Sequence, residues 1–225
     1  MNFLQLCNRL KRKCRVQGAA ITAVTGQVDE YTSLIDFIND AWMDIQMSRE
    51  DWFWMRTSAS CNTVLNQSTY TETDFSMTDL GNWERDSFRV YLTATGSADE
   101  QTLDFVDYKG WRDTYQLGTQ RTAASRPTVA TVTPANAVGV GPVPLAGYTI
   151  TGDYFKAPSE LVATIDTPAL PARFHMMIVY RAMMYFGAGE AAGEIYQEGE
   201  AEFKRMSRLL ANNQLPEITM GPALA

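Results

Sequence analysis

Val28–Leu65 reads VDEYTSLIDFINDAWMDIQMSREDWFWMRTSASCNTVL, and the chain changes character inside this stretch. Val28, Tyr31, Leu34, Ile35, Ile38, Ala41, Trp42 and Ile45 recur on a 3.6-residue period, while Asp29, Glu30, Asp36, Asn39, Asp40 and Asp44 fall mostly elsewhere. One apolar face with an acidic remainder predicts an amphipathic helix over 28–47. Asp29 and Glu30 suit the positive end of its dipole. Ser48, with Asp51 three residues on, predicts a bend or restart there. The segment ends in the aromatic run Trp52-Phe53-Trp54-Met55. Past Arg56 the helical period is gone.

From Thr57 to Thr167 the chain is rich in Thr, Ser, Val, Tyr and Gly. Partial alternation and β-branched enrichment predict strands at 58–65, 87–95, 103–108, 128–133, 147–155 and 161–165. Val138-Gly-Val-Gly-Pro-Val-Pro144 reads as a loop, because two prolines and two glycines argue against a central strand. Helical character returns after Pro168 and Pro171. Residues 172–186 are apolar almost all round, interrupted by Arg181, and predict a buried helix that breaks at Gly187 and Gly189. A last helix follows, with Glu190, Glu194, Glu198 and Glu202 at i+4 spacing and Lys204, Arg205 and Arg208 toward its end, a polarity that suits the macrodipole.

This order of helices, strands and helices predicts an α+β fold. About four helices from both chain ends (1–56 and 168–212) form a discontinuous helical domain, with a β-rich domain inserted at 57–167. Residues 213–225 form an extended, apolar, proline-containing tail.

The 225 residues, 45% hydrophobic and 20% charged, suffice for one sizeable core or two small ones. No stretch reaches the ~18–20 uninterrupted apolar residues of a membrane-spanning helix. Three cysteines make no disulfide framework. The net charge of −7 conceals an asymmetry. Arg9, Lys11, Arg12, Lys13 and Arg15 precede the first acidic residue, Asp29, and the rest of the chain carries 14 basic against 26 acidic residues. Phe3, Leu6, Cys7, Leu10 and Cys14 form one apolar stripe, so residues 3–15 predict a short amphipathic helix whose remaining circumference is basic. Two readings stand for it: contact with a nucleic-acid backbone or an acidic partner, or a merely solvated face. No apolar core of an export signal follows it.

Candidate chemistry is sparse. Gly139-Val-Gly141 lacks the third glycine and following helix of a dinucleotide loop. Cys7 and Cys14 are spaced too widely for a zinc knuckle and lie on the apolar stripe, where packing is the simpler role. His175 is the single histidine. It excludes sites needing two imidazoles and reads as structural. Asp99, Glu100, Asp104, Asp107 and Asp113 cluster in sequence, but paired-carboxylate catalysis requires a fixed separation that spacing alone does not supply. These features assign no catalytic residue, metal or cofactor.

The order of motifs resembles a known family. Phe37-Ile-Asn-Asp-Ala-Trp-Met-Asp-Ile45 and Glu50-Asp-Trp-Phe-Trp-Met-Arg56 precede a β-rich middle carrying Arg126-Pro127 and Gly152-Asp-Tyr154. Asp166-Thr-Pro168, Pro171-Ala-Arg-Phe-His175 and Ile178-Val-Tyr-Arg-Ala182 then lead into the Glu-rich helix. Over roughly residues 1–212 this is similar to the head-to-tail adaptor (connector) proteins of tailed bacteriophages, particularly short-tailed ones. The resemblance implies a non-enzymatic virion protein, assembled in the host cytoplasm, that forms a ring, commonly a dodecamer, beneath the portal protein. Such a ring continues the channel through which genomic DNA passes and offers a platform to the tail nozzle and often to tail fibres, with no membrane involved. Because terminal segments of such proteins often reach the portal, Leu215, Pro216, Ile218 and Met220 join Arg9, Lys11, Arg12, Lys13 and Arg15 as expected interface residues. A tail-tube or nozzle component, a nucleic-acid-binding protein using the basic N-terminus, and a virion cell-wall hydrolase are the alternatives.

Overall fold

In the computed structural model, which describes residues 1–214, the elements run in the following order. Two helices, α1 (Phe3–Lys13) and α2 (Glu30–Met47), come first. Six strands follow: β1 (Arg56–Asn62), β2 (Thr69–Tyr70), β3 (Leu80–Trp83), β4 (Arg89–Leu92), β5 (Gln101–Thr102) and β6 (Asp104–Phe105). After helix α3 (Tyr108–Tyr115) come β7 (Ala124–Ser125), β8 (Val129–Val132), β9 (Val138–Gly141), β10 (Val143–Pro144) and β11 (Tyr148–Lys156). The described chain closes with α4 (His175–Gly189) and α5 (Gly193–Gln214). The fold is α+β, with helices from both ends and a β-rich middle. Met1–Met55 and the chain from Pro158 onward form one unit, and Arg56–Ala157 form a second.

In the helical unit α1, α2 and α5 each pack on α4. That explains the apolar run in α4, where His175, Met177, Ile178, Val179, Ala182, Met183, Met184 and Phe186 are all buried. The expected break at Gly187 does not occur, and α4 continues to Gly189. Gly187 instead serves packing: a Cβ there would stand 2.7 Å from the Tyr196 backbone nitrogen on α5. The chain turns at Glu190–Ala192, with Ala191 at φ +52°. Helix α2 stops at Met47 without restarting as an α-helix. Trp52 Nε1 donates to the Ile45 carbonyl at 3.0 Å, and Phe53–Met55 forms only a single 3-10 turn.

Residues 161–165 are not a strand. Residues 158–167 run along the helical unit: Gln46 bonds Ser159 and Asn39 bonds Leu161, each through both amide donor and acceptor. Phe3 and Leu4 donate backbone N–H groups to the Asp166 and Thr164 carbonyls. Side-chain amides thus replace a ladder that a lone segment between helices lacks.

In the β unit, β11 pairs with β1 and β4, β4 pairs with β5, and β3 also pairs with β11, all antiparallel. A second sheet has the order β2-β9-β8-β6. The expectation of a loop over 138–144 was wrong at both ends: β9 is an inner strand buried throughout, and Val143–Pro144 form β10, which pairs with β7 in parallel. Val138 and Val140 are fully buried. Gly139 and Gly141 are small because neighbouring side chains cover the backbone: a Cβ at 139 would lie 2.8 Å from the Thr131 methyl and 3.0 Å from Trp111 of α3, and one at 141 only 2.6 Å from Tyr115 of α3. Pro142 lies between β9 and β10, and Pro144 ends the two-residue β10, so neither interrupts the β9 ladder. The expected strand 103–108 is only Asp104–Phe105, because Asp107 caps α3 by accepting from the Gly110 N–H at 2.9 Å. Between the sheets Trp83 packs against Phe75, Phe88 and Tyr154 at centroid distances of 4.8, 5.4 and 5.9 Å.

Candidate assembly interface

Helix α1 begins with a reciprocal cap: Asn2 Oδ1 accepts from the Gln5 N–H at 2.9 Å, and Gln5 Oε1 from the Asn2 N–H at 3.0 Å. Phe3, Leu6 and Leu10 are essentially inaccessible, each stabilising the docked helix by about 1.5–3 kcal/mol. The apolar stripe is the main anchor of α1, joined by backbone bonds from Phe3 and Leu4 to the 158–167 segment.

The five cations divide. Lys11 is turned inward and only 5% exposed. Its ammonium donates to the carbonyls of Gly18 (2.8 Å) and Ala19 and to the Tyr31 hydroxyl (2.8 Å), pinning the 14–29 connector to α2. Lys13 lies 2.6 Å from Glu198 of α5 and above the Tyr180 ring. Glu198 raises the Lys13 pKa, chiefly through this hydrogen bond. Arg9, Arg12 and Arg15 are exposed and make no ion pair among the described residues. Arg9 and Arg12 border an open groove of about 530 Å³ walled by Leu4, Gln5, Asn8 and Ala20. Leu215, Pro216, Ile218 and Met220 lie outside the described residues.

A complementary surface occurs on α2. Leu34, Ile35, Ile38, Ala41, Trp42 and Ile45 are buried, so Asp36 and Asp40 project from the opposite side of the helix. Burial raises the Asp40 pKa, and the neighbouring charges of Asp36, Asp44 and Glu160 add to the shift. Asp44 is neutralised from within: Arg181 Nη2 and Nε donate to it at 2.6 and 2.9 Å, and the Tyr185 hydroxyl also donates. Among the described residues no cation pairs with Asp36, Asp40 or Glu160. Sequence reading placed Asp36 and Asp40 off the apolar face but did not single them out. Their i, i+4 spacing was the available signal, whereas Glu160 joins them only through the fold. On α5, Glu200 and Glu202 pair with Lys204 and Arg205 along their own helix.

The remaining acids and soft ligands have structural partners. Arg126 clamps Asp99 through two contacts at 2.8 and 2.9 Å and donates to the Asp99 and Val90 carbonyls. These bonds, aided by the Leu92 N–H, hold the Asp99 carboxyl below its ordinary range. Glu100 pairs with Arg89. Cys7, Cys14 and Cys61 are buried, and burial pushes each thiol up to about 12. His175 is buried with Nε2 2.8 Å from the Leu170 carbonyl; burial lowers its pKa. Among the described residues no three His, Cys, Asp or Glu side chains are grouped to hold a metal. On the β unit, Ser58, Ser60 and Thr151 floor a polar groove of about 520 Å³. At its rim Arg56 pairs with Asp153 at 2.8 Å.

A family model described as SU10 adaptor protein matches residues 1–222. The chain belongs to the SU10 adaptor protein family. Membership makes it a phage structural adaptor, a class that works through portal and tail proteins and is found in the virion. No curated protein matches the chain. For an SU10 adaptor the relevant surfaces are docking faces, and the α1 arginines and the α2 acids are two sets of exposed charge without an ion pair among the described residues. No helix among the described residues is long and apolar enough to cross a membrane.

Proposed function

We propose that this SU10 adaptor forms a ring of identical copies at the head–tail junction, between the portal and the tail nozzle. The observation that carries the reading is the family match over residues 1–222. The surface chemistry agrees with it. The chain carries a net charge of −7, and an acidic wall lets a polyanion slide rather than adhere. The ring is commonly twelvefold in such adaptors, encloses the path of genomic DNA, and is assembled in the host cytoplasm. The β unit offers the platform for tail components, and Leu215, Pro216, Ile218 and Met220 contact the portal.

A nucleic-acid-binding role through the N-terminus is the weaker reading. Lys11 is committed to the connector and Lys13 to Glu198, which leaves three arginines of the five cations.

Sedimentation velocity of the full chain mixed with the cognate portal ring tests the proposal. The portal boundary should shift to a larger species that saturates at several copies per portal. A boundary unmoved by excess chain refutes the portal-bound ring.

A further inference from the structure

Two oppositely charged rows on the helical unit make no ion pair among the described residues. Arg9 and Arg12, one helical turn apart on α1, are exposed and border the groove walled by Leu4, Gln5 and Asn8. Asp36 and Asp40, one turn apart on α2, are exposed beside Glu160, and no cation among the described residues pairs with them. Each row lies on the side of its helix opposite the residues packed in the bundle, since Phe3, Leu6, Cys7 and Leu10 are buried on α1 and Leu34, Ile35, Ile38 and Ala41 on α2. The two rows therefore do not neutralise each other within one molecule. The cations that do have acidic partners, such as Lys13 with Glu198 and Arg181 with Asp44, pair elsewhere in the same unit.

Resting on the ring reading, we infer that the α1 row of one copy docks on the α2 row of the next. Arg9 and Arg12 face Asp36, Asp40 and Glu160 across a head-to-tail contact. The contact is heterologous, joining two different patches, and its repetition closes a ring when the rotation per copy divides a full turn without rise. Four of the five participants are rigidly presented: the arginines by a capped helix anchored through its apolar stripe, the aspartates by α2. The conformational cost of pairing is then confined to side-chain rotamers. Met47 of α2 and Val162 of the 158–167 segment, both largely exposed, supply apolar surface on the acidic side. The mutual repulsion of Asp36, Asp40 and Glu160 in the free chain is relieved by the incoming guanidinium groups. That relief favours assembly over the monomer and makes the contact sensitive to salt.

The test compares three full-length variants with the native chain, each mixed with the cognate portal and examined for ring completion by imaging and by adaptor-to-portal ratio. R9E/R12E and D36K/D40K each place like charges across the contact, and each should weaken association about 100-fold or more. A chain carrying all four reversals restores complementarity and should return to within about tenfold of native. All four positions are exposed, and far-UV circular dichroism checks that each variant folds. Complete rings from either two-site variant overturn the inference. So does a folded four-site variant that fails to assemble, which would mean that the arginines engage the portal and not a neighbouring copy. In both cases native rings leave the proposed function intact. Absence of rings with the native chain defeats the proposed function itself, and the inference with it.

Discussion

Gly187 and Gly189 sit two residues apart near the end of α4, yet replacing each by alanine should have opposite consequences. Alanine favours a helix over glycine by up to about 1 kcal/mol. At Gly189 nothing lies within 4 Å of the new Cβ, so only that gain operates, reduced by the terminal position. At Gly187 the Cβ would meet the Tyr196 nitrogen, Cα and Cβ at 2.7, 2.9 and 2.9 Å. Two of these atoms are backbone of α5, so relief requires moving a helix. Overpacking of this kind costs about 1–3 kcal/mol, and backbone obstruction places it toward the upper end. The net expectation is a loss of about 1–2 kcal/mol at 187 and a change between zero and about 1 kcal/mol of gain at 189. Urea unfolding followed by tryptophan fluorescence reads the difference. Trp42, Trp52 and Trp54 report on the helical unit, while Trp83 and Trp111 report on the other, and the two transitions are fitted separately. With a slope of about 2–3 kcal/mol/M, the Gly187→Ala midpoint falls by roughly 0.5 M. If Gly187→Ala is as stable as Gly189→Ala, the close approach of α4 and α5 is not a packing constraint and the reasoning fails.

Three further outcomes follow from the same structure. Asp99 is held below its ordinary value of 3.8, chiefly by its hydrogen bonds from Arg126, so the folded state favours the charged form. Its stabilising contribution is complete above the unfolded value and disappears as pH falls through the lower folded one. Asp99→Asn should therefore destabilise the β unit at about pH 7, with the gap from native narrowing as pH falls below the ordinary carboxyl range; a gap that stays constant with pH contradicts the clamp. Cys7, Cys14 and Cys61 should react with a thiol reagent orders of magnitude more slowly in the folded chain than in urea, because burial disfavours each thiolate; fast labelling at neutral pH would show that these sites open. Lys11→Met removes three donated bonds while filling much of the same space, and should cost about 1–3 kcal/mol. Proteolysis should then cut the 14–29 connector sooner, and an unchanged cleavage rate would mean that Lys11 does not hold it.

Much of the architecture was legible in the sequence because strong periodicity marks it. The 3.6-residue stripe of α2, the all-round apolarity of α4 and the loss of period at Arg56 identify the helical elements and the β insertion directly. What escaped was set by contacts distant in sequence. Strand β9 looked like a loop since its glycines follow from the rings of Trp111 and Tyr115 above it, and α3 itself is one short amphipathic stretch behind an Asp cap. Gly187 looked like a helix breaker for the same reason, since the Tyr196 backbone that demands it lies on another helix. Residues 161–165 had a strand's composition but no strand beside them, and Asn39 and Gln46 bind that stretch instead. The interface was half visible. The basic run before Asp29 stood out, but sequence could not show that Lys11 turns inward and Lys13 meets Glu198. Nor could it show that Glu160 joins Asp36 and Asp40.

The central claim is tested most directly by electron-microscopic imaging of purified cognate portal incubated with the full chain, with portal alone as reference. A closed ring of added density at one end of the portal, with a constant copy number and a volume per copy matching 225 residues, is the predicted result. Portal particles unchanged by a saturating excess of the chain would contradict it.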